Sequence, residues 1–281
     1  MNYRTDLALE RRELIKDTVP NGVDFDEEIF GETKITRIEI KSKEGTKALS
    51  KPEGKYITIE FKMKNISLPE NEEEIEIVAK EIAALIPKKE GDILIVGLGN
   101  HNITPDAIGP KTVEKTISTR HISDELNLRS VAAIAPGVMG QTGIETADII
   151  KSVCDSISPA CVIAVDALAS KSTDRLCKTI QICDSGISPG SGVHNKRAEL
   201  SEETLGVPVI AIGVPTVVDA LTVAADFSAD ENIKNENLSN LMVTPREIDS
   251  LILNISHLLS LSIGRALHPS LSVSDLYFLS L

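Results

Sequence analysis

Tryptophan is absent from the 281 residues and aromatics make up 3% of them, so there is little from which to build the stacking platforms that hold single-stranded nucleic acid. Basic residues are also in deficit. Against 42 Asp and Glu stand 29 Lys and Arg, a formal charge of −13 that repels a phosphate backbone. Direct nucleic-acid binding is therefore not expected; an acidic cytoplasmic enzyme is. The four cysteines, Cys154, Cys161, Cys177 and Cys183, lack both CxxC spacing and the density of a disulfide scaffold, which points to reduced thiols. Residues 1–10 contain no hydrophobic segment of the secretory kind. Unbroken apolar stretches such as 160–165 fall far short of the ~20 residues of a membrane span. The expectation is a chain that is neither exported nor inserted in a membrane. The five histidines, His101, His121, His194, His257 and His268, show no HExxH or other ligand spacing, so no metal and no cofactor is expected.

What is present is enough apolar content, 42%, to build a substantial core. Residues 33–62 read as an antiparallel pair of strands. Ile38 and Ile40 alternate with Arg37, Glu39 and Lys41, Ile57, Ile59 and Phe61 alternate with Thr58 and Glu60, and 43–54 joins the two. A helix follows, with Ile75, Val78, Ile82 and Leu85 on one stripe and Pro87 at its end. From residue 92 onward, continuous apolar strands at 93–98, 131–135, 160–165, 179–183 and 207–212 alternate with helices, the pattern of a sheet covered on both faces. One of those helices carries Ile150, Val153, Cys154 and Ile157 on one side, with Thr142 and Glu145 spaced as a capping box. Ile248, Leu251, Ile252 and Ile255 place another helix near the end. The expected fold is α/β: a mostly parallel central sheet flanked by helices (91–225, the catalytic core), a β-hairpin and helix region packed on it (1–90), and a C-terminal helical segment (226–281). The polar stretch 185–203, with Gly186, Gly190 and Gly192, is too long for a tight connection and reads as a functional loop or as an insertion.

Gly97-Leu-Gly99 follows a strand, as in dinucleotide-binding folds, but Asn102 stands in place of the third glycine and Pro105 and Pro110 interrupt the helix start, which argues against a dinucleotide. The glycines instead suit a sharp turn at a strand's carboxyl end, where ligands gather in open α/β sheets. Two placements of Asp106 stay open. Either Thr104 caps a helix with Pro105 at its first position, or the helix starts at Pro110 and leaves Asp106 on a loop. Asp166 ends the apolar run 160–165, where burial disfavours its charged form and a second carboxylate nearby would let the two share a proton. Right-handed crossovers would run the two strands in parallel and bring Asp106 and Asp166 to one edge of the sheet. Ordinary structural roles, a helix-start aspartate and a strand-end cap, fit them as well. Gly186-Ile-Ser188-Pro-Gly190 matches a nucleophile elbow as a string, yet Pro189 has no N–H to offer an oxyanion. Cys154 and Cys161 lie on apolar faces and read as inert.

Several long runs carry a resemblance: Gly97-Leu-Gly-Asn-His-Asn-Ile-Thr-Pro-Asp-Ala-Ile-Gly-Pro110, Arg4-Thr-Asp-Leu-Ala8, and the stretches 135–145, 165–169, 184–194 and 212–220. Over nearly its whole length the chain resembles the germination proteases of spore-forming bacteria. The resemblance implies a fold similar to the hydrogenase maturation endopeptidases. It also implies an endopeptidase of atypical aspartic type that degrades small acid-soluble spore proteins, acting as a homotetramer in the cytoplasm of the forespore or spore core. Catalysis would fall to Asp106 and Asp166, with Gly99, Asn100, His101 and Thr104 binding substrate or supporting the site. The family is made as a zymogen. With three residues before Arg4, a very short propeptide, a mature form and a different activation all stay open. Two other functions are consistent with the residues: a metal-dependent endopeptidase of the hydrogenase-maturation type, and a non-catalytic binding protein.

Overall fold

A computed structural model describes residues 5–15, 19–61, 71–190, 197–226 and 238–280. Arg4, Gly192 and His194, and the span 191–196 of the long loop, lie outside the described residues. Among the described residues, nine strands form one sheet: β1 Val23–Phe30, β2 Thr33–Ile40, β3 Gly54–Phe61, β4 Ile93–Gly97, β5 Val131–Ile134, β6 Cys161–Ser170, β7 Thr179–Cys183, β8 Val209–Asp219 and β9 Met242–Val243. Their order is β1-β2-β3-β7-β8-β6-β4-β5, with β9 on β8. The central strands β8, β6, β4 and β5 are parallel. By contrast β7 runs against both β8 and β3, which corrects the reading of 179–183 as one more strand of a strand–helix alternation. Between β6 and β7 the chain holds only a 3-10 turn, Thr173–Arg175, too short a link for a parallel crossover. Because β3 pairs with β7, the N-terminal strands and the parallel core share one sheet.

The helices are α1 Ala8–Glu13, α2 Lys43–Leu49, α3 Glu72–Leu85, α4 Ile108–Lys115, α5 Ser123–Leu126, α6 Met139–Thr142, α7 Thr146–Ile157, α8 Glu202–Leu205, α9 Ala220–Asp226, α10 Ile248–Leu267 and α11 Val273–Leu279. Alternation along each central strand divides the core. Ile93, Ile95, Cys161, Ile163, Ile210 and Ile212 pack with α3, α4 and α10. Leu94, Val96, Val162, Ala164 and Val209 face the other way, against Ile150 and Cys154 of α7 and Leu205 of α8. Both faces are thus covered, and the central strands read as unbroken apolar runs for that reason. Thr142 is not the cap of α7: it ends α6, and its hydroxyl accepts the Ile144 N–H at 3.1 Å within that turn, while α7 starts behind Glu145.

Helix α10 has the length and composition of a membrane span, which a search for unbroken apolar runs passes over because serines, Asn254 and His257 interrupt it. More than half of its most apolar window is buried in the fold, where it lies against α3 and α4.

Candidate active site

Three glycines shape the turn that leaves β4. The Leu98 N–H still donates to the Val165 carbonyl at 2.8 Å, so the ladder with β6 outlasts the strand by one residue. A Cβ on Gly97 would lie 2.3 Å from the Gly109 carbonyl oxygen, and one on Gly109 would lie 2.3 Å from the Leu98 oxygen and 2.5 Å from the Val165 oxygen. Helix α4 therefore starts with its backbone directly against the end of β4 and the middle of β6. Gly99, at φ +111°, reverses the chain where a side chain would strike the Asp106 carbonyl. The segment then enters a 3-10 turn, Thr104–Asp106, separate from α4. Pro105 does open a helical turn, but Ile103 and not Thr104 occupies the capping position, and no side chain caps it. Pro110 falls in the first turn of α4, where an N–H has no intrahelical partner to lose.

Asp106 ends the 3-10 turn half-buried, and Asp166 sits on β6 at 4% exposure. Asp166 continues the register of Val162 and Ala164 past the cover of α7, and its neighbour across the ladder is Gly213 of β8. Both aspartates line one cleft of about 1160 Å³. Burial raises the proton affinity of each. For Asp166 it is the main cause, followed by the charge of Asp106, and the Ala167 N–H on its Oδ1 at 2.9 Å only partly offsets them. For Asp106 burial is opposed by the Asn100 N–H on its Oδ2 at 2.7 Å. Asp166 lies one residue past the last rung that β6 shares with β4, Asp106 ends the turn that leaves β4, and the charge of Asp106 reaches Asp166.

Gly99 and Asn100 line the same cleft, and the Asn100 Oδ1 accepts the Gln141 amide at 2.7 Å, tying α6 to the turn. His101 and Thr104 do not line it. His101 is exposed and meets Glu114 through Nδ1 at 3.1 Å; the Thr104 carbonyl accepts the Ala107 N–H. The buried thiols of Cys161 and Cys177 are pushed up to about 12 by desolvation, which leaves them protonated and unreactive. Among the described residues, no group of three or more His, Cys, Asp or Glu is placed to hold a metal ion. The described ends of the long loop, Ser185 to Gly190 and Arg197 to Leu200, form one wall of the cleft, where Ile187 and Leu200 exchange backbone hydrogen bonds at 2.9 and 2.8 Å.

Sequence reasoning missed a further wall, made by the N-terminal segment. Asp6 donates its N–H to the Ala169 carbonyl at 2.9 Å and accepts the Ala169 N–H on Oδ2 at 2.9 Å, adding a rung beside β6. Lys51 donates to the Asp6 carbonyl at 2.7 Å, and Gln181 bridges Asp6 and Ala8. Buried Glu10 clamps α1 to the end of β6. It accepts from the Ser170 hydroxyl at 2.8 Å, the Lys171 N–H at 2.7 Å and Arg175 at 3.2 Å, and it also takes the Thr5 hydroxyl. The one signal for this wall was the run at 4–8, whose residues show no periodicity that would place them.

A family model described as germination protease matches residues 5–235. The chain is 44% identical to a germination protease of Caldanaerobacter subterraneus subsp. tengcongensis, covering 98% of this chain and 97% of that one. It is 42% identical to a germination protease of Clostridium tetani, with 98% of each chain covered. Among solved structures, the [NiFe] hydrogenase maturation protease HycI of Thermococcus kodakarensis KOD1 covers 65% of this chain and 98% of its own at 17% identity, with a TM-score of 0.37.

Proposed function

The chain belongs to the germination protease family, and from that premise we propose that it is an endopeptidase that cuts small acid-soluble spore proteins with Asp106 and Asp166 as its acid–base pair. The observation that supports this reading is the meeting of the two carboxyls in one cleft. Deeper burial and two neighbouring carboxylates favour the proton on Asp166, whereas the Asn100 N–H favours charge on Asp106. Asp106 then takes a proton from water as the oxygen adds to the scissile carbonyl, and Asp166 gives its proton to the carbonyl oxygen. On collapse of the tetrahedral intermediate the proton on Asp106 passes to the leaving amine, and Asp166 recovers its own. Gly99 and Asn100 support the turn that holds Asp106, while His101 and Thr104 act from outside the cleft.

On this reading the enzyme works in the cytoplasm of the forespore or spore core, as a homotetramer, without direct contact with nucleic acid or membrane. A zymogen stage belongs to the same reading. The test is incubation with a purified small acid-soluble spore protein, followed on a gel. Wild type should cleave it in excess chelator, and Asp106→Asn and Asp166→Asn should each lose about 10²–10⁴-fold in rate while remaining folded by circular dichroism. Normal turnover by either variant rejects the pair, and chelator-sensitive cleavage favours a metal-dependent mechanism.

A further inference from the structure

The N-terminal wall places a carboxylate where the acid–base pair does not require one. Asp6 is buried, lines the cleft with Asp106 and Asp166, and is fixed by main chain and side chain together to Ala169, on the strand that carries Asp166. Its anchorage is strong. Gln181 from β7, Lys51 from the link between α2 and β3, and the Glu10 cluster all hold residues 5–10 against the end of the sheet. The Asp6 carboxylate is held by the Ala169 N–H and lies in the field of buried Lys51, and it is also one of the two carboxylates whose charge reaches Asp166.

We propose that Asp6 is a third acidic residue of the site, a positioning residue that keeps the shared proton on Asp166 and so leaves Asp106 to act as the base. The inference rests on the reading of Asp106 and Asp166 as the acid–base pair. Among the described residues, the charged groups lining the cleft besides Asp166 are Asp106 from the turn after β4, Asp6 and Arg11 from the N-terminal segment, Lys51, and Arg197 and Glu199 from the loop wall. Gly213, across the ladder from Asp166, brings no charge. Of the charged groups, the two carboxylates of Asp106 and Asp6 act on Asp166, and both disfavour its ionisation.

Removing the Asp6 charge makes Asp166 easier to ionise, so the protonated acid is lost at lower pH and the basic limb of the kcat/KM profile moves down. Asp6→Asn keeps an oxygen for the Ala169 N–H. With a small acid-soluble spore protein as substrate it should cleave with that limb displaced by about one pH unit, and Asp6→Glu, which restores the charge, should move it back toward wild type. A basic limb of Asp6→Asn that coincides with wild type overturns the proposal, as does a uniform loss of rate with the profile unmoved. Should Asp6→Asn not fold, carboxyl-carbon NMR titration of the wild-type protein decides. Coupled titration curves for Asp6 and Asp166 support the proposal, and independent single-step curves overturn it. These outcomes leave the pair itself untouched, because activity in Asp106→Asn or Asp166→Asn is what would remove that.

Discussion

In the parallel half of the sheet, backbone meets backbone: the start of α4 rests on the Leu98 and Val165 carbonyls with no side chain between. In the antiparallel half, contacts are made by long side chains. Arg37 on β2 reaches Glu81 of α3 and also Asp26 and Glu28 on the neighbouring β1, and Lys34 meets Glu27 at 2.6 Å. Such charges on β1 and β2 also suit the open edge of a sheet, where they discourage pairing with another chain. The difference lies in tolerance. A guanidinium can find a second carboxylate, whereas a carbonyl held against a glycine has nowhere to go. The side of the molecule that carries the two aspartates is thus built without slack, and the other side is adjustable.

Gly109→Ala should break this contrast most severely. Its Cβ would enter three backbone contacts of 2.3 to 2.5 Å, so a loss of more than about 4 kcal/mol in urea unfolding is expected, with activity lost alongside it. Gly140→Ala is the control within the same cleft: nothing lies within 4 Å of its Cβ site, and stability should stay within about 0.5 kcal/mol.

Asp166→Asn has a sizeable effect of opposite sign. Because burial raises the folded-state proton affinity of Asp166, the acid's contribution to stability is fully present below its unfolded pKa and is lost as pH rises through its folded pKa. The neutral variant escapes that loss. It should match wild type in acid and exceed it progressively over this window, by roughly 1.4 kcal/mol for each pH unit between the two pKa values, before levelling off. Thermal melts across pH measure this directly, and a gap that does not change with pH would place Asp166 outside such an environment.

Glu81→Gln, in the adjustable half, should cost roughly 1–3 kcal/mol, because Arg37 keeps Glu28 and Asp26. Its kcat/KM should be that of wild type. A loss of activity larger than the loss of stability would show that the two halves are coupled more tightly than their contacts suggest.

The same division governs what could be read from the chain. Ile93–Gly97 and Thr179–Cys183 announce themselves as strands because they are buried on both faces. β1 did not, since Val-Asp-Phe-Asp-Glu-Glu-Ile-Phe is an edge strand whose acids face solvent or the charges of β2. The continuations of β6 to Ser170 and of β8 to Asp219 were also hidden, because pairing, and not an apolar run, carries them onward. That Asp106 and Asp166 share a cleft was legible because crossover topology runs β4 and β6 in parallel and brings the turn after β4 beside β6. Asp6, Lys51 and Gln181 were not, since they come from a pre-sheet segment, a helix–strand link and an antiparallel strand, to which that rule says nothing. The direction of β7 was within reach: no helix-length segment separates it from β6.

Helix α10 has one more consequence, for the moment of synthesis. Most of its apolar surface is covered by α3 and α4, which precede it in the chain, and the rest of the cover includes α11, which follows it. When the ribosome delivers these residues, most of their cover has already been made, and a segment that resembles a membrane anchor waits only for the short α11 behind it.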